Sequence, residues 1–555
     1  MTNKELAELI FPDIHESIED LEKRYPERKL PKGAEVTRFA PSPTGFLHTG
    51  SLFTAMICQK VAKQSGGVFY VRLEDTDTKR EIAGSGEKLL SQLKLFDVYP
   101  NEGYMADHEE GDYGPYCQSN RADIYKVCIK HLIEIGRAYP DFCSPEDLEE
   151  IRRKQEALKL NPGYYGEFAR DRFLSNEERK EKILKGEPYV IRFMSMGDHN
   201  NKITVHDLVH GYFDIAQNDQ DIVILKSDGL PTYHFAHAVD DHFMRTTTVI
   251  RGEEWISSFP IHVELFEALG FKAPKYAHLP VIMKLDEVGH KRKLSKRLDN
   301  EAAVSYFIED GYPTNALIIY LMTIANSNFE EWLLQNGYND LDKFTFSFDK
   351  MSLDGALFDI SKLQYFAKEI LGYKTKEQIL EMSLDYATKY DPALLSLIER
   401  DREYFKAIMN IDREKENPRK DHYCLRGLKD YIGVFYEDIY NGLLDKGFEF
   451  NEKYEASLIA STLEKIRDTL SLNVDEQGWF QNIKDVAEAQ GFAIDRKAYK
   501  ANPEAFKGQV GDVAEMLRVA LTGRKNTPTL YYVMKVLGEE NSKNRLTKVI
   551  SSLTK

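Results

Sequence analysis

An apolar, strand-like entry at Val36 and Phe39 runs into a turn built from Pro41, Ser42, Pro43, Thr44 and Gly45, then into a helix-like stretch from Leu52 to Lys63. That order sets small residues and a histidine, in the segment His48-Thr49-Gly50-Ser51, at a helix N-terminus. Backbone N–H groups and the helix dipole favour phosphate there. A strand at Val68–Leu73 and a helix at Gly86–Leu95 continue the pattern. This β-α-β-α alternation predicts a parallel sheet with helices on its faces. The expected fold class is α/β, with a Rossmann-like nucleotide-binding sheet.

At 555 residues the chain is too long for one ordinary core, and length alone suggests roughly three or four domains. Residues 1 to 35 read as a helical extension, with Leu6, Leu9, Ile10, Ile14, Ile18 and Leu21 at helical spacing and Pro26, Pro31 and Gly33 ending it. Residues 36–113 read as the first half of the sheet. Residues 114–205 are mostly helical and charged, then extended near Tyr189–Met194, as expected of an inserted α/β domain. Strands resume at Ile222–Lys226 and Val249–Arg251, within a second half assigned to 206–330. Beyond that strand signals fade, and helical spacing predicts two all-α subdomains, 331–450 and 451–555.

The formal net charge of −16 argues against a generic nucleic-acid coat, though not against a local basic site. Five cysteines without a Cys-x-x-Cys pair read as free thiols of a reducing compartment. The charged N-terminus lacks a signal-peptide core, and Ala316–Ala325 is far too short to span a bilayer. A cytoplasmic protein with no membrane partner is expected.

A second segment, Lys293-Leu294-Ser295-Lys296-Arg297, follows about 240 residues after His48 and ends the densest basic cluster, Lys291-Arg292-Lys293. Alone it would be read as a solvated basic run. Paired with the histidine segment, it resembles the two signature sequences of class I aminoacyl-tRNA synthetases. The wording of Pro41-Ser42-Pro43-Thr44-Gly45, Leu47-His48 and Arg72-Leu73-Glu74-Asp75-Thr76-Asp77 is similar to bacterial-type glutamyl-tRNA synthetases. So are Gly114-Pro115-Tyr116, Tyr233-His234-Phe235-Ala236, Val239-Asp240-Asp241-His242, Ile250-Arg251-Gly252-Glu253-Glu254-Trp255 and Leu517-Arg518-Val519-Ala520-Leu521-Thr522-Gly523-Arg524.

The resemblance implies ATP-dependent attachment of L-glutamate to tRNA-Glu through a glutamyl-adenylate. It implies catalytic roles for His48, Lys293 and Lys296, with ATP held by His48, Gly50, Glu254, Trp255 and Lys296. Glutamate would be held by Arg38, Ala40, Ser42, Glu74, Tyr233, His237 and Arg251. Guanidinium groups suit a side-chain carboxylate because they are always charged and match its geometry. A structural ion pair with Asp75 or Glu253 is the competing reading for Arg38 and Arg251. His237 departs from the asparagine of several family members.

Mg²⁺ is expected to arrive with ATP. No metal site of the protein's own is expected. Some family members carry a zinc site in the inserted domain, but Asp141-Phe142-Cys143 lacks the first cysteine and Tyr165 to Arg170 holds none, so no zinc is predicted. Asp240, Asp241 and His242 read as acceptor-stem and local structural contacts. The inserted domain would bind the acceptor end, the region before residue 330 the stem, and the helical subdomains the anticodon. A monomer is the family-based expectation. Glutaminyl-tRNA synthetase, a small-molecule adenylyltransferase on the same fold, and a silent homologue remain alternatives. Two arginines and the helical C-terminal third favour glutamate over glutamine.

Overall fold

The computed structural model describes residues 1–43, 45–77, 82–295, 297–338 and 340–554. The chain forms two compact units, Met1–Phe307 with Ile318–Ile360, and Ile308–Leu317 with the chain from Ser361 onward.

The first unit opens with two short helices, α1 (Asn3–Ile10) and α2 (Ile18–Arg24). Each starts with a reciprocal capping box, Thr2 with Glu5 and Ser17 with Asp20. The sequence reads as one periodic run from Leu6 to Leu21. Pro12 divides it, because a proline inside a helix loses an N–H and clashes with the preceding turn. Leu6, Ala7, Leu21 and Tyr25 are buried in the core of the first unit.

The main sheet begins with β1 (Val36–Phe39), α3 (Thr49–Ser65), β2 (Val68–Val71), α4 (Ser85–Leu95), β3 (Glu102–Tyr104) and β4 (Glu109–Glu110). Strands β1, β2 and β3 are parallel, and β4 closes the edge antiparallel. All four β1 residues are buried, as befits a parallel strand covered on both faces. After α5 (Ala122–Glu134) come β5 (Ala138–Asp141), β6 (Val190–Phe193), β7 (Lys202–Asp207), β8 (Gly211–Ala216) and β9 (Val223–Leu225). Then follow α6 (Tyr233–Phe243), β10 (Thr248–Gly252), α7 (Phe259–Leu269), β11 (Lys275–Leu279), β12 (Met283–Leu285) and β13 (Lys291–Lys293).

Strands β10, β11 and β7 are parallel, with β8 antiparallel on the outside. The backbone N–H of Thr247 donates to the Val36 carbonyl at 3.0 Å, so β10 lies beside β1. The chain thus winds outward from β1 in one direction and from β10 in the other. A ligand crevice belongs at the C-terminal ends of these two strands, where the order reverses.

Strands β5, β6 and β9 form a separate antiparallel sheet. Two details differ from the sequence reading. Strand β7 runs across residue 205, and it pairs with β11 of the main sheet. Strand β9, read as a return to the main sheet, pairs with β6 instead. Alternation reveals a strand but not its partner. Among the described residues no named strand follows β13. The second unit is helical, with Leu394, Ile398, Phe405 and Ile408 in one apolar core and Leu463, Ile466, Leu517 and Leu546 in another. The first unit extends to Ile360, beyond the 330 expected from fading strand signals.

Candidate active site

A cavity of about 590 Å³ opens at the C-terminal ends of β1 and β10. Its floor and walls include Arg38, Ala40, Ser42, His48, Gly50 and Glu74 from the first half of the sheet, and Tyr233, Arg251, Glu254, Trp255 and Lys293 from the second.

His48 is the N-cap of α3. Its Nδ1 accepts the backbone N–H of Gly50 at 2.9 Å. The lone pair used at Nδ1 leaves the ring proton on Nε2. A Cβ on Gly50 would sit 3.2 Å from Nδ1, tighter than ordinary contact. Glycine keeps that ring position open. Gly45, at φ +143°, adopts a backbone conformation that side chains disfavour. The segment is fixed from the other side as well. Leu47 accepts from the Val304 N–H at 3.3 Å, and the Thr49 hydroxyl donates to the Glu301 carbonyl at 2.6 Å. The residues after the lysine segment therefore brace the histidine segment.

Lys293 ends β13 and lies 3.4 Å from Glu254. Lys296 lies outside the described residues. The turn between them is anchored at both ends. Leu294 is buried and its N–H donates to the Ile282 carbonyl at 3.0 Å. Asp299 takes both Arg292 nitrogens at 2.6 and 2.8 Å, Lys284 at 3.2 Å and the Ser295 N–H at 2.9 Å. Hydrogen bonding from Arg292 first, then Ser295 and Lys284, holds the Asp299 carboxyl well below the usual range despite its burial.

Behind the cavity lies a buried ionic network. Arg38 pairs with Asp241 at 3.1 Å, and Arg72 reaches Asp241 at 2.7 Å and Glu74 at 3.1 Å. Arg121 donates to Asp240 at 2.6 Å, which also accepts from Tyr125 at 2.8 Å and Gln118 at 2.9 Å. Three guanidinium groups thus face three carboxylates. Burial alone would push the Asp241 carboxyl up, but Arg38, Arg72 and His237 outweigh it and hold it well below the usual range. Glu74 goes the other way. Burial raises it, and Arg72 and Arg38 offset only part.

Arg251 has a different environment. It is 5% exposed, on β10. Its Nε donates to His278 at 3.0 Å and its Nη2 meets His262 Nδ1 at 3.1 Å. Nη1 is buried without a partner among the described residues, and no carboxylate pairs with the guanidinium. Imidazoles and aromatic rings, Tyr276 at 5.0 Å and Trp255 at 5.9 Å, surround this cation, so among the described residues its charge has no carboxylate counterpart, which an anion in the cavity would supply.

His237 does not line the cavity. It is fully buried on α6, its Nε2 2.9 Å from the Tyr276 hydroxyl and its Nδ1 2.7 Å from Asp241. Burial pushes its pKa down to about 3, so the pH-dependent charge considered from sequence is suppressed. Asp240 and Asp241 are also fully buried, which removes them from any acceptor-stem contact. The ion-pair partner of Arg38 is Asp241, neither Asp75 nor Glu253. Sequence reading missed the roles of Asp241, His262 and His278. The available signal was a polar residue within an apolar run, as in Tyr276-Ala277-His278-Leu279.

Among the described residues, Asp141, Cys143 and Asp171 bring metal-ligand atoms within 4.8 Å of one another. Asp141 is engaged by Arg192 at 2.5 Å and Tyr164 at 2.9 Å, and Asp171 by the Phe142 N–H at 2.8 Å. Burial pushes the Cys143 thiol up to about 12. Protein donors occupy the carboxylates, and these three groups fall short of the four ligands of a structural Zn²⁺ site.

Comparison with known proteins adds to this geometry. A family model described as "tRNA synthetases class I (E and Q), catalytic domain" matches residues 35–364, and an "Anticodon binding domain" model matches residues 424–550. The chain is 45% identical to a glutamate--tRNA ligase of Clostridium perfringens, over 99% of this chain and all of that protein. It is 40% identical to a glutamate--tRNA ligase of Sorangium cellulosum, over 98% of this chain and all of the relative. The crystal structure of a glutamate-tRNA synthetase from Elizabethkingia anophelis covers 93% of this chain and 100% of its own, with a TM-score of 0.73 and 29% identity.

Proposed function

Since the chain belongs to the class I tRNA synthetases of the glutamate and glutamine branch, and to the glutamate--tRNA ligases within it, we propose that the cavity between β1 and β10 activates L-glutamate with ATP and that the helical unit engages tRNA-Glu. The single observation that carries the reading is Arg251, a buried guanidinium without a carboxylate partner, facing the cavity. An anionic side chain satisfies it; a neutral amide does not.

In this reading Arg251 and Arg38 receive the γ-carboxylate. Glu74 receives the α-ammonium, whose arrival stabilises the ionised form that burial disfavours. Ala40, Ser42 and Tyr233 complete the amino-acid pocket. Trp255, whose ring lies 4.3 Å from that of Tyr233, and Glu254 flank the nucleoside. ATP enters as its Mg²⁺ complex. A glutamate α-carboxylate oxygen attacks the α-phosphorus, the bond to the bridging oxygen of pyrophosphate breaks, and glutamyl-adenylate forms. The terminal ribose hydroxyl of tRNA then attacks the acyl carbon, loses its proton, and AMP leaves. No side-chain nucleophile takes part. Positioning and charge stabilisation supply the rate, with His48 Nε2–H and the lysines Lys293 and Lys296 acting on the phosphates.

The reading takes the protein as a cytoplasmic monomer. Five cysteines that form no disulfide fit a reducing compartment, and no helix of the described residues is long and apolar enough to cross a membrane. The test is aminoacylation of purified tRNA-Glu and tRNA-Gln with glutamate and, separately, glutamine. Glutamate on tRNA-Glu, with His48→Ala lowering kcat about 100-fold, is the expected result. Charging of glutamine alone would overturn the reading.

A further inference from the structure

The amino-acid pocket raises a question of charge. Buried arginines are ordinarily matched by carboxylates, and Arg38, Arg72 and Arg121 follow that rule. Arg251 is held instead by His278 at Nε and His262 at Nη2. A guanidinium has donors only, so each imidazole must present a lone pair and be neutral. The remaining hydrogen bonds agree. His278 Nε2 accepts from Arg251, so its proton is on Nδ1, 2.7 Å from Asp207. Asp207 also accepts the backbone N–H groups of Val209 at 2.9 Å, His210 at 3.0 Å and His278 at 3.0 Å, which fix it as the ionised acceptor. His262 Nδ1 faces Arg251, so its proton is on Nε2, 3.0 Å from His234 Nδ1. Every proton in the chain points away from Arg251. Burial lowers the pKa values of His262 and His278, which keeps both neutral.

We propose that His262 and His278, with Asp207 behind His278, are positioning and specificity-determining residues that orient Arg251 through lone pairs and so reserve its charge for the anionic side chain of the substrate. The proposal rests on the reading of Arg251 as the receiver of the γ-carboxylate. A carboxylate in the place of either imidazole would hold the guanidinium equally well but neutralise it from within. Discrimination between glutamate and glutamine would then fall, because the favoured ligand would compete with an internal one.

His262 permits a comparison that isolates charge. Asn and Asp side chains put an oxygen near the position of a histidine Nδ1, are nearly isosteric, and lose the link to His234 equally. The full-length chain is assayed as wild type, His262→Asn and His262→Asp, with glutamate and glutamine, on tRNA-Glu. His262→Asn is expected to keep the glutamate KM within about fivefold. His262→Asp is expected to raise it about 100-fold, more than kcat changes, and to narrow the glutamate-to-glutamine ratio of kcat/KM. Equal glutamate KM values for the two variants would overturn the proposal. If either variant does not fold, the pair His278→Gln and His278→Glu, which mimics Nε2, makes the same comparison with the same criterion. A wild-type enzyme that charges glutamine and not glutamate would remove the parent reading, an outcome visible before any variant is assayed.

Discussion

Replacing Asp241 by Asn removes one charge from the centre of the ionic network and little volume. Asp241 is 1% exposed and receives Arg38 at 3.1 Å, Arg72 at 2.7 Å and His237 at 2.7 Å. In the variant Arg72 keeps Glu74 and Asp240 while Arg38 loses its carboxylate partner, and the new amide N–H₂ turns one former acceptor toward donors. Breaking a buried pair from one side costs about 3–5 kcal/mol, and the added donor–donor clash argues for about 4 kcal/mol. The assay is urea unfolding in a Trp479→Phe background, so that the remaining tryptophans, Trp255 and Trp332, report the first unit. The pH dependence provides a second signature. The folded-state pKa of Asp241 is depressed, so its contribution is fully present above the unfolded value of about 3.9 and is lost as pH falls through the folded one. The difference between wild type and Asp241→Asn is therefore expected to be flat from pH 8 to about 5 and to shrink only below about pH 4. A loss under about 1 kcal/mol, or a difference that already shrinks near neutrality, would refute the reasoning.

Two further outcomes follow from the site. Glu74→Gln is expected to raise the glutamate KM about 100-fold. In wild type that KM should climb as pH falls toward the raised pKa of Glu74, while the variant retains only the dependence due to the substrate's own carboxylate; superimposable profiles would count against Glu74 as the ammonium receiver. Asp299→Asn frees the turn carrying Leu294 and Ser295 from Arg292 and Lys284, so the ATP KM is expected to rise about tenfold, equivalent to 1.4 kcal/mol, with the glutamate KM unchanged; an unchanged ATP KM would show that the anchor plays no part in nucleotide binding.

Local chemistry was legible in the sequence, and long-range pairing was not. The strand, turn and helix around His48 could be read because proline, glycine and apolar spacing act on near neighbours. The helical character of the second unit followed from apolar periodicity alone. The N-terminal run was misread as continuous because its period survives Pro12 while its backbone does not. Strand β9 was legible as a strand, but its partner β6 lies some thirty residues earlier in the chain. The candidate site divides in the same way. Arg38 and Arg251 were visible as cations near strands. What distinguishes them is the identity of their partners: Asp241 on α6 for the first, and His262 on α7 with His278 on β11 for the second. Those partners come together only when the sheet is assembled. His237 shows the converse. Its match to a substrate-touching asparagine of several family members suggested the pocket, but its position on the buried face of α6 turns it toward Asp241 and Tyr276.

The central claim is that the uncompensated charge of Arg251 selects glutamate. It is tested most directly by kcat/KM for glutamate and for glutamine, on tRNA-Glu, in wild type and Arg251→Gln. The account predicts that the variant loses at least about 1,000-fold toward glutamate, with little change toward glutamine, so that the ratio between the two collapses. An Arg251→Gln enzyme that keeps the wild-type ratio would contradict it.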